Sequence, residues 1–131
     1  MTFDEAFRIL LCYRLKGTEV PANDPRETPK SIRNWIAGSD YDLTTAKHML
    51  DTGRYIYVVF MCHLALEKML KAHVELHEDK APPKIHHLKM LADRSGLKIP
   101  DKFKDIILEL NETSIPTRYP EELQSSLAVF T

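Results

Sequence analysis

The sequence predicts an all-α protein, an up-and-down helical bundle of four main helices plus a short helix, with an extra N-terminal helix. Apolar residues recur at spacings of three and four in several segments, and no segment alternates as a strand would. The stretch from Gly53 to Ala72 carries apolar residues on two helix faces, so other helices must surround it. The chain of 131 residues, 44% of them hydrophobic, is long enough for one domain with a real core.

The N-terminal segment is expected to be separate from the bundle. Phe3 to Lys16 predicts a helix that Gly17 ends, and Gly17 to Pro29 contains three prolines, as an extended linker does. We therefore expect residues 1–30 to form an N-terminal helix and a proline-rich linker, and residues 31–131 to form the bundle. The N-terminal helix could pack on the bundle, or it could dock a second copy or a partner.

The next two helices are predicted to form a hairpin. Ser31 to Thr52 has apolar residues at helical spacing and ends at Gly53, and the central helix runs from Tyr55 to about His77. Because the link is so short, the two helices must be antiparallel. Trp35 should then lie close to Val74.

The second half of the chain predicts shorter elements. A short helix spans His86 to Arg94, and a longer one begins at Asp101 and continues to about Glu112. Residues 113–120 form a loop that holds Arg118 and Tyr119 between two prolines. Pro120 begins a last, short helix with Leu123, Leu127 and Phe130 as its apolar face.

Composition limits the classes of function. A net charge of −1 gives no global field toward nucleic acid or membrane. The longest run of the central helix without a charged residue, Tyr55 to Leu66, is shorter than the roughly 20 residues that a bilayer requires, so we expect no membrane contact. Cys12 and Cys62 sit in apolar patterns typical of buried free thiols, and we expect a cytoplasmic protein.

The histidines do not form a recognised metal motif. His73 and His77 are four residues apart, as are His63 and Glu67, but the chain has no Glu-x-x-His pair of the di-iron kind. We therefore predict no metal and no cofactor. We also assign no catalytic residue, because no Ser, Cys or Thr lies in a recognisable nucleophile turn.

Basic residues suggest an anion site at the polar end of the central helix. Arginine binds phosphate through two hydrogen bonds, and the ring of Tyr119 could stack on a base. The alternative is a solvated charged face on which Arg118 pairs with Glu67 or with a helix end. The residues that could converge are Lys68, Lys71, Lys84, His86, Lys89 and Arg118.

The order and spacing of several short motifs resemble the HEPN domain family, whose name abbreviates "higher eukaryotes and prokaryotes nucleotide-binding". The resemblance runs from about Trp35 to Pro120. Its motifs are Gly53-Arg-Tyr55, Phe60, His63, the run Leu64 to Ala72, His86-His-Leu88 with Leu91, and Thr117 to Pro120.

The resemblance implies a helical bundle that forms a homodimer, binds a nucleotide or RNA, and pairs with a minimal nucleotidyltransferase in a toxin–antitoxin system. Many members are ribonucleases with an arginine and a histidine separated by four to six residues, but no histidine follows Arg118 at that spacing. Enzymatic activity is therefore left open. The positions that match the family's recurrent polar residues, expected to bind nucleotide or phosphate, are Glu67, Lys68, Lys71, His86, Arg118 and Tyr119.

Two alternatives stand beside this hypothesis. One is a metal-independent ribonuclease toxin with an atypical site that uses His86 or His63 as acid or base. The other is a non-enzymatic dimeric interaction module that docks a partner through its N-terminal helix and one face of the bundle.

Overall fold

The computed structural model describes residues 29–114, which form four helices and no strand. This confirms the all-α prediction for that part of the chain, and the helix ends lie within about two residues of those expected. The predicted N-terminal helix, the linker up to residue 28 and the helix after Pro120 lie outside the described residues. The domain boundary at residue 30 stays a prediction. The helices are α1 (Lys30–Asp51), α2 (Tyr55–Glu78), α3 (Leu88–Arg94) and α4 (Asp101–Ser114).

Helices α1 and α2 form the predicted antiparallel hairpin. The link between them turns at Gly53, whose φ of 75° is a left-handed conformation that glycine adopts without strain. At one end of the hairpin, Ser31 Oγ donates to Glu75 Oε1 at 2.7 Å. Further along, Ser39 Oγ donates to the carbonyl of Ala65 at 2.6 Å. The small side chains at this second contact allow the two backbones to approach closely.

Helix α2 is the centre of the bundle and packs against α1, α3 and α4. Its side chains are buried on most sides between Ile56 and Val74, as the two apolar faces predict. None of the helices in residues 29–114 is both long and apolar enough to cross a bilayer. The largest fully buried apolar side chains of the core are Leu66, Leu70, Leu88, Leu91, Ile107 and Leu110.

The short helix α3 begins at Leu88, two residues later than predicted. His87 is its N-cap, and the Nδ1 atom of His87 accepts a hydrogen bond from the Met90 amide at 3.4 Å. The Leu88 amide donates to Asn111 Oδ1 on α4 at 2.9 Å. As a result, His86 lies in the loop before the helix, where its ring can face α2.

Candidate functional site

Three polar residues on α2 lie one above the other inside the bundle. His63, Glu67 and Lys71 are each four residues apart, which places them on one helix face. They retain 2%, 4% and 5% of their exposure. Burying a charged group costs free energy unless polar partners replace the lost water. The contacts among these three residues therefore determine whether they can be buried together.

The carboxylate of Glu67 receives those partners from three side chains. Lys71 Nζ lies 3.3 Å from Oε2, and His86 Nδ1 lies 3.1 Å from Oε1 and 3.2 Å from Oε2. His63 Nε2 lies 3.6 Å from Oε1. Burial by itself raises the pKa of Glu67, but hydrogen bonds from His63 and His86 and the charge of Lys71 outweigh it and lower that pKa to about 2. Glu67 is therefore ionised under all ordinary conditions.

The partners of the two histidines identify which ring nitrogens carry protons. His63 Nε2 lies 3.1 Å from the backbone carbonyl of His86, and a carbonyl only accepts, so Nε2 is the donor. His86 Nδ1 faces an ionised carboxylate, which also only accepts, so Nδ1 donates. The His86 side chain is 68% exposed, and its Nε2 atom has no partner among residues 29–114.

This arrangement gives His86 a defined chemistry. Because Glu67 holds the proton on Nδ1, the neutral ring has a lone pair on Nε2, the ring nitrogen that Glu67 leaves free. A neutral His86 can accept a proton from a bound group, and a protonated His86 can donate to a phosphate oxygen. Glu67 and Lys71 cancel each other in charge, so His86 is the member of the cluster that can meet a ligand.

Three of the four lysines named for the anion site form ion pairs in the structure. Lys71 is buried, and its ammonium also lies 5.3 Å from the centroid of the Trp35 ring. Trp35 therefore contacts α2 at Lys71, about one turn before Val74, the residue that the sequence predicted it would approach. Lys68 Nζ lies 2.7 Å from Asp42 Oδ2, in an ion pair without the angles of a directed hydrogen bond. Lys89 pairs with Asp93 at 2.8 Å. Each of these three ammonium groups already has a carboxylate partner.

Arg118 and Tyr119, the other two predicted site residues, lie outside the described residues. Within residues 29–114, no group of three or more His, Cys, Asp and Glu side chains is placed to hold a metal ion. The ammonium of Lys71 beside Glu67 would repel a cation there. Of the six predicted site residues, the structure brings together Glu67, Lys71 and His86, and it places Lys68 against α1.

Sequence reasoning did not assign His63 to this cluster, although the signal was present. The polar residues at 63, 67 and 71 interrupt an otherwise apolar helix at a spacing of four, which is typical of a buried polar row. The sequence could not show that the loop before α3 brings the backbone carbonyl of His86 within hydrogen-bond distance of His63. The apolar spacing of the sequence indicates only a packing role for Trp35, whose ring contacts the Lys71 ammonium.

The protein is an all-α helical bundle whose central helix buries a carboxylate, an ammonium and an imidazole. The family model described as HEPN domain matches residues 32–128. Because this match covers well over half of the chain, the chain belongs to the HEPN domain family, and the resemblance seen in the sequence is confirmed. Comparison with curated proteins and with solved structures gave no match.

Proposed function

We propose that this HEPN domain protein binds a nucleotide or an RNA phosphate at His86, as a homodimer that partners a minimal nucleotidyltransferase. The observation that supports the binding site is the exposed imidazole of His86 on the buried, ionised carboxylate of Glu67. A ring held in this way has its free nitrogen oriented before any ligand arrives, which reduces the entropy lost on binding.

The proposal assigns different roles to the predicted site residues. His86 contacts the phosphate. Glu67 orients the His86 ring through its hydrogen bond, and Lys71 holds the Glu67 carboxylate. Arg118 and Tyr119, which fall within the family match, are proposed to hold the phosphate and the base. Lys68 lies at the side that faces α1, where its ammonium is paired with Asp42, so we assign it no direct contact with the phosphate.

Calorimetric titration of the full chain with adenine and guanine nucleotides and with short single-stranded RNA tests this function. We expect His86→Ala to weaken binding about tenfold or more, because a hydrogen bond to a charged phosphate is lost. Arg118→Ala should weaken it further. His48→Ala is the matched control, since His48 is an exposed histidine in the last turn of α1. If the wild-type chain binds none of these ligands, the proposal fails.

Partnership is tested separately, by co-expressing the chain with the product of the adjacent reading frame, which the proposal expects to be a minimal nucleotidyltransferase. We expect the two proteins to co-purify, and the isolated chain to sediment as a dimer. A chain that sediments as a monomer and does not co-purify with this partner would refute the proposed assembly. That result would not affect the proposed nucleotide site.

Metal-independent RNA cleavage is a second candidate, favoured by the lone pair that Glu67 leaves on His86. In that reaction the imidazole removes the proton of a ribose 2′-hydroxyl, the 2′ oxygen attacks phosphorus, and the bond to the 5′ oxygen breaks. The leaving oxygen takes a proton from water. His63 is a poorer candidate for this role than expected, because it is 2% exposed.

RNA incubated with the protein in the presence of a chelator should then yield cyclic phosphate ends. Cleavage should disappear in His86→Ala and persist in His48→Ala. Cleavage that is equal in the two variants would exclude His86 as the acid or base.

A further inference from the structure

The outer face of the α1–α2 hairpin carries an open groove of about 320 Å³, separate from the His86 ring. Gly38 lines the groove, and the side chain of Lys68 packs against it. A Cβ atom at that position would come within 3.1 Å of Lys68 Cδ. The groove is lined by Ser31, Asn34, Trp35, Gly38 and Lys68.

The indole of Trp35 gives the groove a flat, supported wall. The ring is half-buried, and the ammonium of Lys71 lies 5.3 Å from its centroid. A cation on an aromatic face attracts the ring and limits its movement. The same ring lines the groove, where a planar group could stack on it.

The polar groups around this wall have the chemistry that a nucleotide requires. The exposed amide of Asn34 offers both a donor and an acceptor, as the edge of a base does. Lys30 and Arg33 are exposed on the first turn of α1, which has no acidic residue, and neither has an ion-pair partner within residues 29–114. Of the nearby acids, Asp42 is paired with Lys68, whereas Glu75 accepts a hydrogen bond from Ser31 and keeps its negative charge.

We propose that this groove binds a nucleobase, which stacks on Trp35 while Asn34 bonds its edge and the cations of the first turn of α1 face its phosphate. The inference rests on the proposed function, because a series of contacts connects the groove to His86, and it assigns to Trp35 a base contact separate from the one proposed for Tyr119. His86 bonds Glu67, Glu67 bonds Lys71, and Lys71 lies on the Trp35 ring. The base belongs to a free nucleotide or to a single-stranded RNA, and the experiment distinguishes these sources.

Trp35 is the only tryptophan of the chain, so its fluorescence reports on the groove directly. The full chain is titrated with AMP and, separately, with a short single-stranded oligoadenylate, each followed by fluorescence and by calorimetry. A base stacked on the indole should quench the emission with the dissociation constant that calorimetry gives. Quenching by AMP identifies a mononucleotide site, and quenching by the oligonucleotide alone identifies an RNA site.

Variants separate stacking from general charge effects. We expect Trp35→Leu to weaken binding about tenfold or more, and Trp35→Phe to weaken it less, because Phe retains a ring. Asn34→Ala changes an exposed side chain, so it should weaken binding without altering thermal unfolding. Tyr41→Leu is the matched control, since Tyr41 is 76% exposed on the same helix and does not line the groove.

The outcomes distinguish this inference from the proposed function. Ligand that binds by calorimetry without quenching Trp35, or that binds Trp35→Leu and Asn34→Ala as well as wild type, overturns the groove and leaves the His86 site standing. Quenching that persists at saturation in His86→Ala supports the groove on its own. If neither AMP nor the oligoadenylate binds the wild-type chain, the groove proposal fails, and the proposed function then depends on the guanine nucleotides and the other RNA.

Discussion

At the scale of single residues, the unusual feature is a carboxylate buried in the middle of an apolar helix. Glu67 gives up nearly all its water, and a lone buried carboxylate would take up a proton instead. Three donors prevent this, and they come from two segments: His63 and Lys71 from α2 itself, and His86 from the loop before α3. The charge of Glu67 therefore also fixes the position of that loop.

The pKa of Glu67 leads to a prediction about acid stability. In the folded chain it lies at about 2, below its ordinary value of 4.5. A lowered carboxyl pKa stabilises the folded state above pH 4.5, and this contribution is lost as the pH falls from 4.5 toward 2. Its full size is on the order of 3 kcal/mol. We expect Glu67→Gln to remove this pH dependence from the free energy of unfolding.

Urea unfolding of wild type and Glu67→Gln at a series of pH values down to 2 measures this effect. Glu112→Gln serves as the control, because Glu112 is an exposed glutamate of α4. It should follow the wild-type profile. A Glu67→Gln profile parallel to wild type between pH 4.5 and 2 would contradict the contacts described for this carboxylate.

At the scale of helices, much of the hairpin was predictable and the cluster was not. Apolar spacing and Gly53 placed the central helix from Tyr55 to about His77, against an observed end at Glu78. The same patterns made Glu67 and Lys71 look like a polar helix end near the surface. Their burial depends on how the segment before α3 returns to α2, and no local pattern encodes that return. The sequence predicts the start of α3 two residues too early, because histidine is an uncommon N-cap.

Two glycines allow a test of how the helices end. Gly96 follows α3 with φ 74°, and Gly53 links α1 to α2 with φ 75°. A Cβ at Gly96 would lie 2.5 Å from Nδ1 of the His77 ring, whereas nothing lies within 4 Å of one at Gly53. Alanine at either site meets the same left-handed strain of about 1–2 kcal/mol. Only Gly96→Ala must also displace a ring.

We therefore expect Gly96→Ala to lower the free energy of unfolding more than Gly53→Ala does, as measured by urea denaturation. Adding His77→Ala should bring the Gly96→Ala loss down to that of Gly53→Ala, because the ring is then gone. Equal losses in the two single variants would mean that His77 turns away at no cost. A loss that His77→Ala leaves unchanged would place the strain elsewhere.

At the scale of the whole molecule, α2 joins everything that the structure describes. It packs on α1, α3 and α4, and it supplies three members of the polar cluster together with most of the core. The Trp35 ring contacts Lys71 and the His86 ring contacts Glu67, so the Glu67–Lys71 pair connects the two. Both proposed binding surfaces therefore depend on the same buried helix, and neither can form unless that helix is packed.

The thiol of Cys62 offers a readout of this cooperativity. It is fully buried in α2, and burial raises its pKa to about 12. Because the thiolate is the reactive form, a thiol reagent should modify Cys62 only when the bundle opens. In a Cys12→Ser background, which leaves Cys62 as the only thiol, the labelling rate should fall to the rate set by unfolding.

Substitutions on the same helix make this prediction quantitative. Leu66→Ala removes a side chain that is 1% exposed and should cost about 2–5 kcal/mol. Labelling of Cys62 should then accelerate by the factor to which that loss corresponds, as measured independently by urea denaturation. Leu76→Ala alters a leucine that is 47% exposed, so it should change the rate little. Rapid labelling of the unmodified core, or equal acceleration by both variants, would mean that α2 opens locally and is not held by the bundle as a whole.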